Sequence, residues 1–161
     1  MNTFETVHRV PFSVSDMFKL VADVESYPEF VPLCESLKIR QRERQDHKDV
    51  LTADMTAAYK FISESFTSRV EIDPEASKIL VEYIDGPFRH MENRWRFREA
   101  GEGACDVDFF IAYEFRSYAL QLLMGALFEK AFRKFVDAFE TRAHQIYGKS
   151  AESAEADATA S

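Results

Sequence analysis

Four side chains in this sequence carry hydrogen-bonding groups where their neighbours are apolar: Ser68, Asn93, Trp95 and Tyr113. Asn93 and Trp95 fall in DGPFRHMENRWRF, Asp85 to Phe97, which opens with a Gly-Pro turn and then runs on without a helical period. Two-residue steps put Arg89, Met91, Asn93, Trp95 and Phe97 on one side of that run, and Phe88, His90, Glu92, Arg94 and Arg96 on the other. An amide and the only Trp of the chain thus share a face with Met and Phe. Such a face is either packed core with its polar groups hydrogen-bonded, or the lining of a cavity that holds a partly polar ligand. The pattern suits both equally.

Catalytic constellations are scarce. No GxSxG, HExxH, P-loop or GxGxxG pattern occurs, and GEGACD (Gly101 to Asp106) holds only a GxG in what reads as a hairpin loop. His8, His47, His90 and His144 fall in four different predicted elements with no ligand spacing, so no metal is expected. Asp106 and Asp108 share a strand face with Glu114 and Arg116, and read as a solvated pair rather than a general acid and base. Binding without catalysis, and without a catalytic cofactor, is the expected chemistry.

The elements that would position these groups follow from periodicity. FETVHRVPF alternates and ends at a proline, giving a first strand. Ser13 reads as an N-cap for a helix with Met17, Phe18, Leu20 and Val21 on one face. Tyr27-Pro28 and Val31-Pro32 bracket a second, very short helix. Six further strands follow, with a turn near Tyr59 to Ile62 that contains neither Gly nor Pro. From Ser117 to Tyr147, Leu120, Met124, Leu127, Phe128, Ala131, Phe132, Phe135, Phe139 and Ile146 recur at three- and four-residue steps, predicting one long helix. KSAESAEADATAS after Gly148 is small, polar and aperiodic and reads as a disordered tail, residues 149–161. The order predicts an α+β domain over 1–148, in which a seven-stranded antiparallel sheet curls around the long C-terminal helix and leaves a cavity between them.

The inner wall is legible by alternation. One strand contributes Val107, Phe109, Ile111, Tyr113 and Phe115; another contributes Ile62, Phe66, Ser68, Val70 and Ile72, with Glu64 as an exception. Leu51, Ala53, Met55 and Ala57 form a small-residue floor, and Met91, Asn93, Trp95 and Phe97 complete the wall.

Composition agrees with a soluble globular domain: 46% of residues are apolar and 30% charged, and no run approaches the ~18 apolar residues of a membrane span. The N-terminus has neither a basic n-region nor an apolar h-region, which argues against a cleaved secretory signal. A net charge of −8 argues against generic DNA or RNA binding. KIRQRER (Lys38 to Arg44) reads as a solvated strand face. Two separated cysteines without a CxxC motif predict reduced thiols in a cytoplasm.

VADVESYPEFVPLC, FISESFTSRVEI, DGPFRHMENRWRF and VDFFIAYEFRS, in this order, resemble the coenzyme Q-binding START-domain family. That family is a branch of the polyketide cyclase/dehydrase and lipid transport superfamily, with bacterial ribosome-association toxins among its relatives. The resemblance implies a helix-grip (START/Bet v 1-like) fold and ubiquinone, or a related isoprenoid lipid, bound in an apolar tunnel. It implies a lipid chaperone supporting respiration rather than a catalyst. On the wall read above, the expected ligand contacts are Met55, Phe66, Ser68, Met91, Asn93, Trp95, Phe109, Ile111 and Tyr113, with Phe128 from the long helix. A tunnel mouth is expected where Phe30 and Val31, between two prolines, face Leu123, Met124 and Leu127. It would touch the membrane surface transiently, so the expectation is a monomer in the cytoplasm, peripheral at a bacterial inner membrane. Binding to a ribosomal subunit is the alternative, weakened by the charge; a small-molecule cyclase or dehydratase is another, weakened by the missing acid/base set.

Overall fold

Alternating apolar and polar residues give seven strands: β1 (Asn2–Val10), β2 (Cys34–Gln45), β3 (Lys48–Tyr59), β4 (Ile62–Asp73), β5 (Lys78–Asp85), β6 (Phe88–Glu99) and β7 (Cys105–Phe115). The computed structural model describes residues 1–148, so the tail expected at 149–161 lies outside the described residues. All pairings are antiparallel, in the order β1-β7-β6-β5-β4-β3-β2. β2 to β7 form a meander, and β1 closes back against β7, pairing Asn2 with Tyr113 and Val10 with Cys105.

The turn that lacks Gly and Pro is a two-residue turn, Lys60-Phe61, in which Lys60 adopts φ 57°. Asp46 does the same at φ 58° between β2 and β3. Each supplies the positive φ that tight hairpins need, without glycine.

One expectation about local geometry is corrected, and the second short helix is present but begins and ends earlier than its prolines suggested. A register shift between Phe88 and His90 turns the start of β6 over, so Phe88 is buried and Arg89 is exposed. Strict alternation had placed them the other way round. A bulge inserts one residue and flips everything before it. The segment after the first helix is a 3-10 turn, Val24–Glu29, with Pro28 inside it; proline is tolerated in so short a helical turn because few backbone donors there have a partner to lose.

Helix α1 (Val14–Ala22) starts at Ser13, whose hydroxyl accepts from the Asp16 N–H at 3.1 Å, and buries Met17, Leu20 and Val21. Helix α2 (Tyr118–Ala143) starts at Ser117, whose hydroxyl accepts from the Leu120 N–H at 3.0 Å. Its 26 residues run about 39 Å without interruption, and a π-helical turn, His144–Gly148, ends the described chain. Met124, Phe128, Phe132, Val136 and Phe139 are buried along it; Ile146, expected on the apolar stripe, is 44% exposed because it lies beyond the α-helical period. α2 approaches the sheet most closely at β7 and β1. Elsewhere it stands off the inner face, and this helix-grip arrangement leaves the space described next. Among the described residues no helix is long and apolar enough to cross a membrane.

Candidate functional site

Six strands, the 3-10 turn, the loop after it and α2 surround a cavity of about 120 Å³. Its floor is the inner sheet face from Leu37 of β2 to Ile111 of β7; its roof is Phe128, Ala131, Phe132, Phe135 and Phe139 of α2. Val31, Pro32 and Leu33 form one side wall. Leu33 is held at φ 67°, and its carbonyl accepts from the Ala58 N–H at 2.9 Å, which ties this wall to the end of β3. A bulky residue in the left-handed region costs roughly 1–2 kcal/mol, so the surrounding contacts must fix that conformation. Apolar cavities of about 150 Å³ stay dry and accept a benzene ring, so this one is sized for a single ring.

The aromatic lining is interlocked. Trp95 lies edge-on to Phe109 (centroids 4.8 Å) and to Phe139 (5.0 Å). Phe88 meets Phe66 at 5.5 Å, and Phe132 meets Phe135 at 5.1 Å. Each such edge-to-face contact stabilises the packing of the wall by about 0.5–1.5 kcal/mol beyond burial.

Polar groups on the wall are few and mostly engaged. The Trp95 indole N–H donates to Asn93 Oδ1 at 2.9 Å, and Asn93 Nδ2 donates to the Phe110 carbonyl at 2.9 Å. Partners of opposite polarity fix the orientation of this amide. Leaving the pair unmade would cost about 1–3 kcal/mol per buried group. The Tyr27 hydroxyl donates to the Val21 carbonyl, and burial raises its pKa well above the ordinary tyrosine value. Ser68, 5% exposed, lines the cavity and makes no side-chain hydrogen bond among the described residues. Burial also pushes the Cys34 thiol up to about 11. No carboxylate, His or Lys lines the cavity, so it holds no acid/base pair.

Of the residues expected to touch a ligand, Val31, Met55, Phe66, Ser68, Met91, Asn93, Trp95, Ile111 and Phe128 converge on this cavity. Five do not line it. Phe109 and Tyr113 are buried behind the lining, Phe109 against Trp95 and Tyr113 against Phe132 at 5.2 Å. Phe30 stacks edge-on to Phe139 at 5.0 Å under the Arg142 guanidinium. Leu127 is half-buried on α2 and Leu123 is 56% exposed. Lining residues absent from that expectation include Phe88, hidden by the bulge, and Ile79 and Val81 of β5, whose alternation was visible in KILVEYID.

Outside the cavity, charged groups pair. Asp106 binds Arg9 and Asp108 binds Arg98, both through two hydrogen bonds, so the pair on β7 is bridged rather than simply solvated. Donor atoms of His8, Asp137 and Glu140 gather within 4.8 Å of one another, which sequence spacing did not reveal because His8 is on β1 and the others are on α2. His8 Nε2 and Glu140 Oε2, 2.7 Å apart, form a bridge between sheet and helix.

Known proteins share this fold. A family model described as polyketide cyclase / dehydrase and lipid transport matches residues 10–140. The chain is 36% identical over 140 residues to the "Ribosome association toxin RatA" of Vibrio cholerae serotype O1, covering 87% of this chain and 94% of that one. It is 31% identical over 142 residues to the "Coenzyme Q-binding protein COQ10 homolog B, mitochondrial" of Xenopus laevis, covering 86% of this chain and 56% of that one. The solution structure of an 18 kDa Caulobacter crescentus protein superposes with a TM-score of 0.76 at 31% identity, covering 92% of this chain and 99% of that one. The matched span, the identities and the shared fold together place the chain in the polyketide cyclase / dehydrase and lipid transport family.

Proposed function

We propose that the chain binds a prenyl quinone, ubiquinone or a related isoprenoid lipid, in this cavity, and carries it as a chaperone for respiratory electron transport without catalysing a reaction. The observation that carries this reading is the lining: ring-sized, almost wholly apolar and aromatic, and without an acid/base pair. Likeness to a relative named for coenzyme Q binding supports it. An unfilled cavity of 120 Å³ costs on the order of 3 kcal/mol, so a ring that fills it stabilises the fold. The prenyl tail exceeds the cavity, so it leaves past the half-buried Pro32, Leu33 and Leu37. Transient contact with a membrane surface would load and unload the tail. Protein purified from a quinone-producing host should release up to one equivalent of quinone into organic solvent, and added quinone should raise Tm by about 5 °C. An extract free of quinone, together with no shift on addition, would overturn the reading.

A second reading has its own support: the relative named for ribosome association matches over nearly its full length and at higher identity. Co-sedimentation with purified ribosomal subunits at physiological salt would favour it. The net charge of −8 works against contact with RNA phosphates.

A further inference from the structure

The cavity is not uniformly apolar; its two groups with a donor hydrogen to spare are set apart. Ser68 is on β4 and Asn93 on β6, with β5 between them. Asn93 pairs with Val81, Val81 pairs with Val70, and Ser68 lies two residues along β4 from Val70. Two interstrand spacings of about 4.8 Å and one two-residue step of about 6.8 Å put the two Cα atoms on the order of 12 Å apart. Both side chains point inward from the curved face, which brings their polar atoms closer than that. Val70 and Val81 form the floor between them.

Each group has capacity to spare. Ser68 is buried and its hydroxyl has no side-chain hydrogen bond among the described residues. Asn93 Nδ2 gives one of its two hydrogens to the Phe110 carbonyl, while its oxygen is taken by the Trp95 indole. The hydroxyl opens onto the cavity, so it can donate to a ligand acceptor at that point. What remains on offer is one O–H at one end and one N–H at the other, over an apolar floor.

We infer that Ser68 and Asn93 bracket a ring carrying two opposed acceptor oxygens, each donating to one oxygen, with the ring lying over Val70 and Val81. A para-dione with a hydrogen bond of about 2.8 Å at each oxygen spans a comparable distance. The inference rests on the quinone-carrier reading and adds which end of the molecule is held, and by what. A reduced ring presents hydroxyls that can also accept, so the bracket selects for opposed oxygens rather than for the oxidised state.

Trp95 is the only tryptophan and lines the cavity, so its fluorescence reports a bound quinone directly. The test compares decylubiquinone, read by quenching, with decylbenzene, which has the ring and tail but no oxygens, read by displacement. Ser68→Ala should weaken decylubiquinone about tenfold and leave decylbenzene unchanged, as expected for one lost hydrogen bond. Asn93→Leu should lower the same affinity ratio by a similar factor; a variant that failed to fold would lose both probes, and the Ser68→Ala ratio then decides alone. An unaltered ratio in Ser68→Ala overturns the bracket while leaving the carrier reading standing. Wild-type protein that takes up neither probe overturns the carrier reading itself.

Discussion

Asn93 and Cys34 show how little polarity the cavity tolerates. The amide is held by two neighbours, and the thiol, 7% exposed on the lining, has only a weak contact to the Ser36 carbonyl at 3.7 Å. Burial disfavours the thiolate and pushes Cys34 up to about 11; Cys105, buried where it does not line the cavity, is also pushed to about 11 by burial. At pH 8 a thiol of that pKa is ionised roughly two orders of magnitude less than an ordinary cysteine near 8.5. With burial also limiting reagent access, both should label with maleimide at least about 100-fold slower than a free thiol, and faster as pH rises toward 11. Cys34, on the lining, should slow more than Cys105 when decylubiquinone is bound. Peptide mapping by mass spectrometry separates the two sites; equal ligand protection at both, or none at Cys34, would contradict the placement of the ligand. At the level of single residues, the sequence put Asn93 and Trp95 on one face with Met91 and Phe97, but did not reveal that the Asn93 oxygen accepts from the Trp95 indole N–H.

At the scale of elements, the β5–β6 connection is the most constrained. Gly86 adopts φ +142°, a conformation closed to side chains, and a Cβ there would lie 2.6 Å from Phe66 Cβ and 2.9 Å from its Cα. The turn therefore needs glycine both for its backbone and for its close approach to β4. Gly86→Ala should cost about 2 kcal/mol or more and push Phe66, a lining residue, against the cavity. The expected result is a lower urea midpoint together with weaker decylubiquinone quenching. An unchanged midpoint would mean that the turn relaxes freely. Gly86-Pro87 was legible as a turn, and so were the inner faces of β3, β4 and β7 and most of β6, because period-two burial leaves a direct mark on composition. The start of β6 was not: a bulge adds one residue without changing residue type, so Phe88 and Arg89 exchanged faces unseen. Ile146 was misplaced for a different reason: a helical period identifies an apolar stripe, but not where the α-helix gives way to the π-helical turn that carries this residue.

The whole molecule balances an apolar interior against an outer face bound together by ion pairs across strands. Arg40, Asp54 and Thr67 link β2, β3 and β4; Lys48, Glu71 and Arg69 link β3 to β4; Arg9 and Asp106 link β1 to β7. The Thr67 hydroxyl, 2.6 Å away, holds the Asp54 carboxyl below the ordinary range, with Arg40 assisting. Lys48 and Arg69 lower Glu71, and Arg9 lowers Asp106. Carboxyls whose folded pKa is depressed favour the folded state when ionised. That stabilisation is complete above their unfolded values of about 4 and is lost as pH falls through the lower folded values. Unfolding free energy should thus hold steady in this respect from pH 8 to about 5 and decline below about 4. Thr67→Val keeps the shape of this nearly buried side chain and removes the donor. It should lower stability at pH 7 by about 1 kcal/mol, kept small by the partial exposure of Asp54. The gap between variant and wild type should narrow as Asp54 protonates in both. Urea titrations at pH 7, 4 and 2.5 measure it directly. A gap that stays constant or widens toward acid would show that Thr67 acts through packing and not through the Asp54 carboxylate.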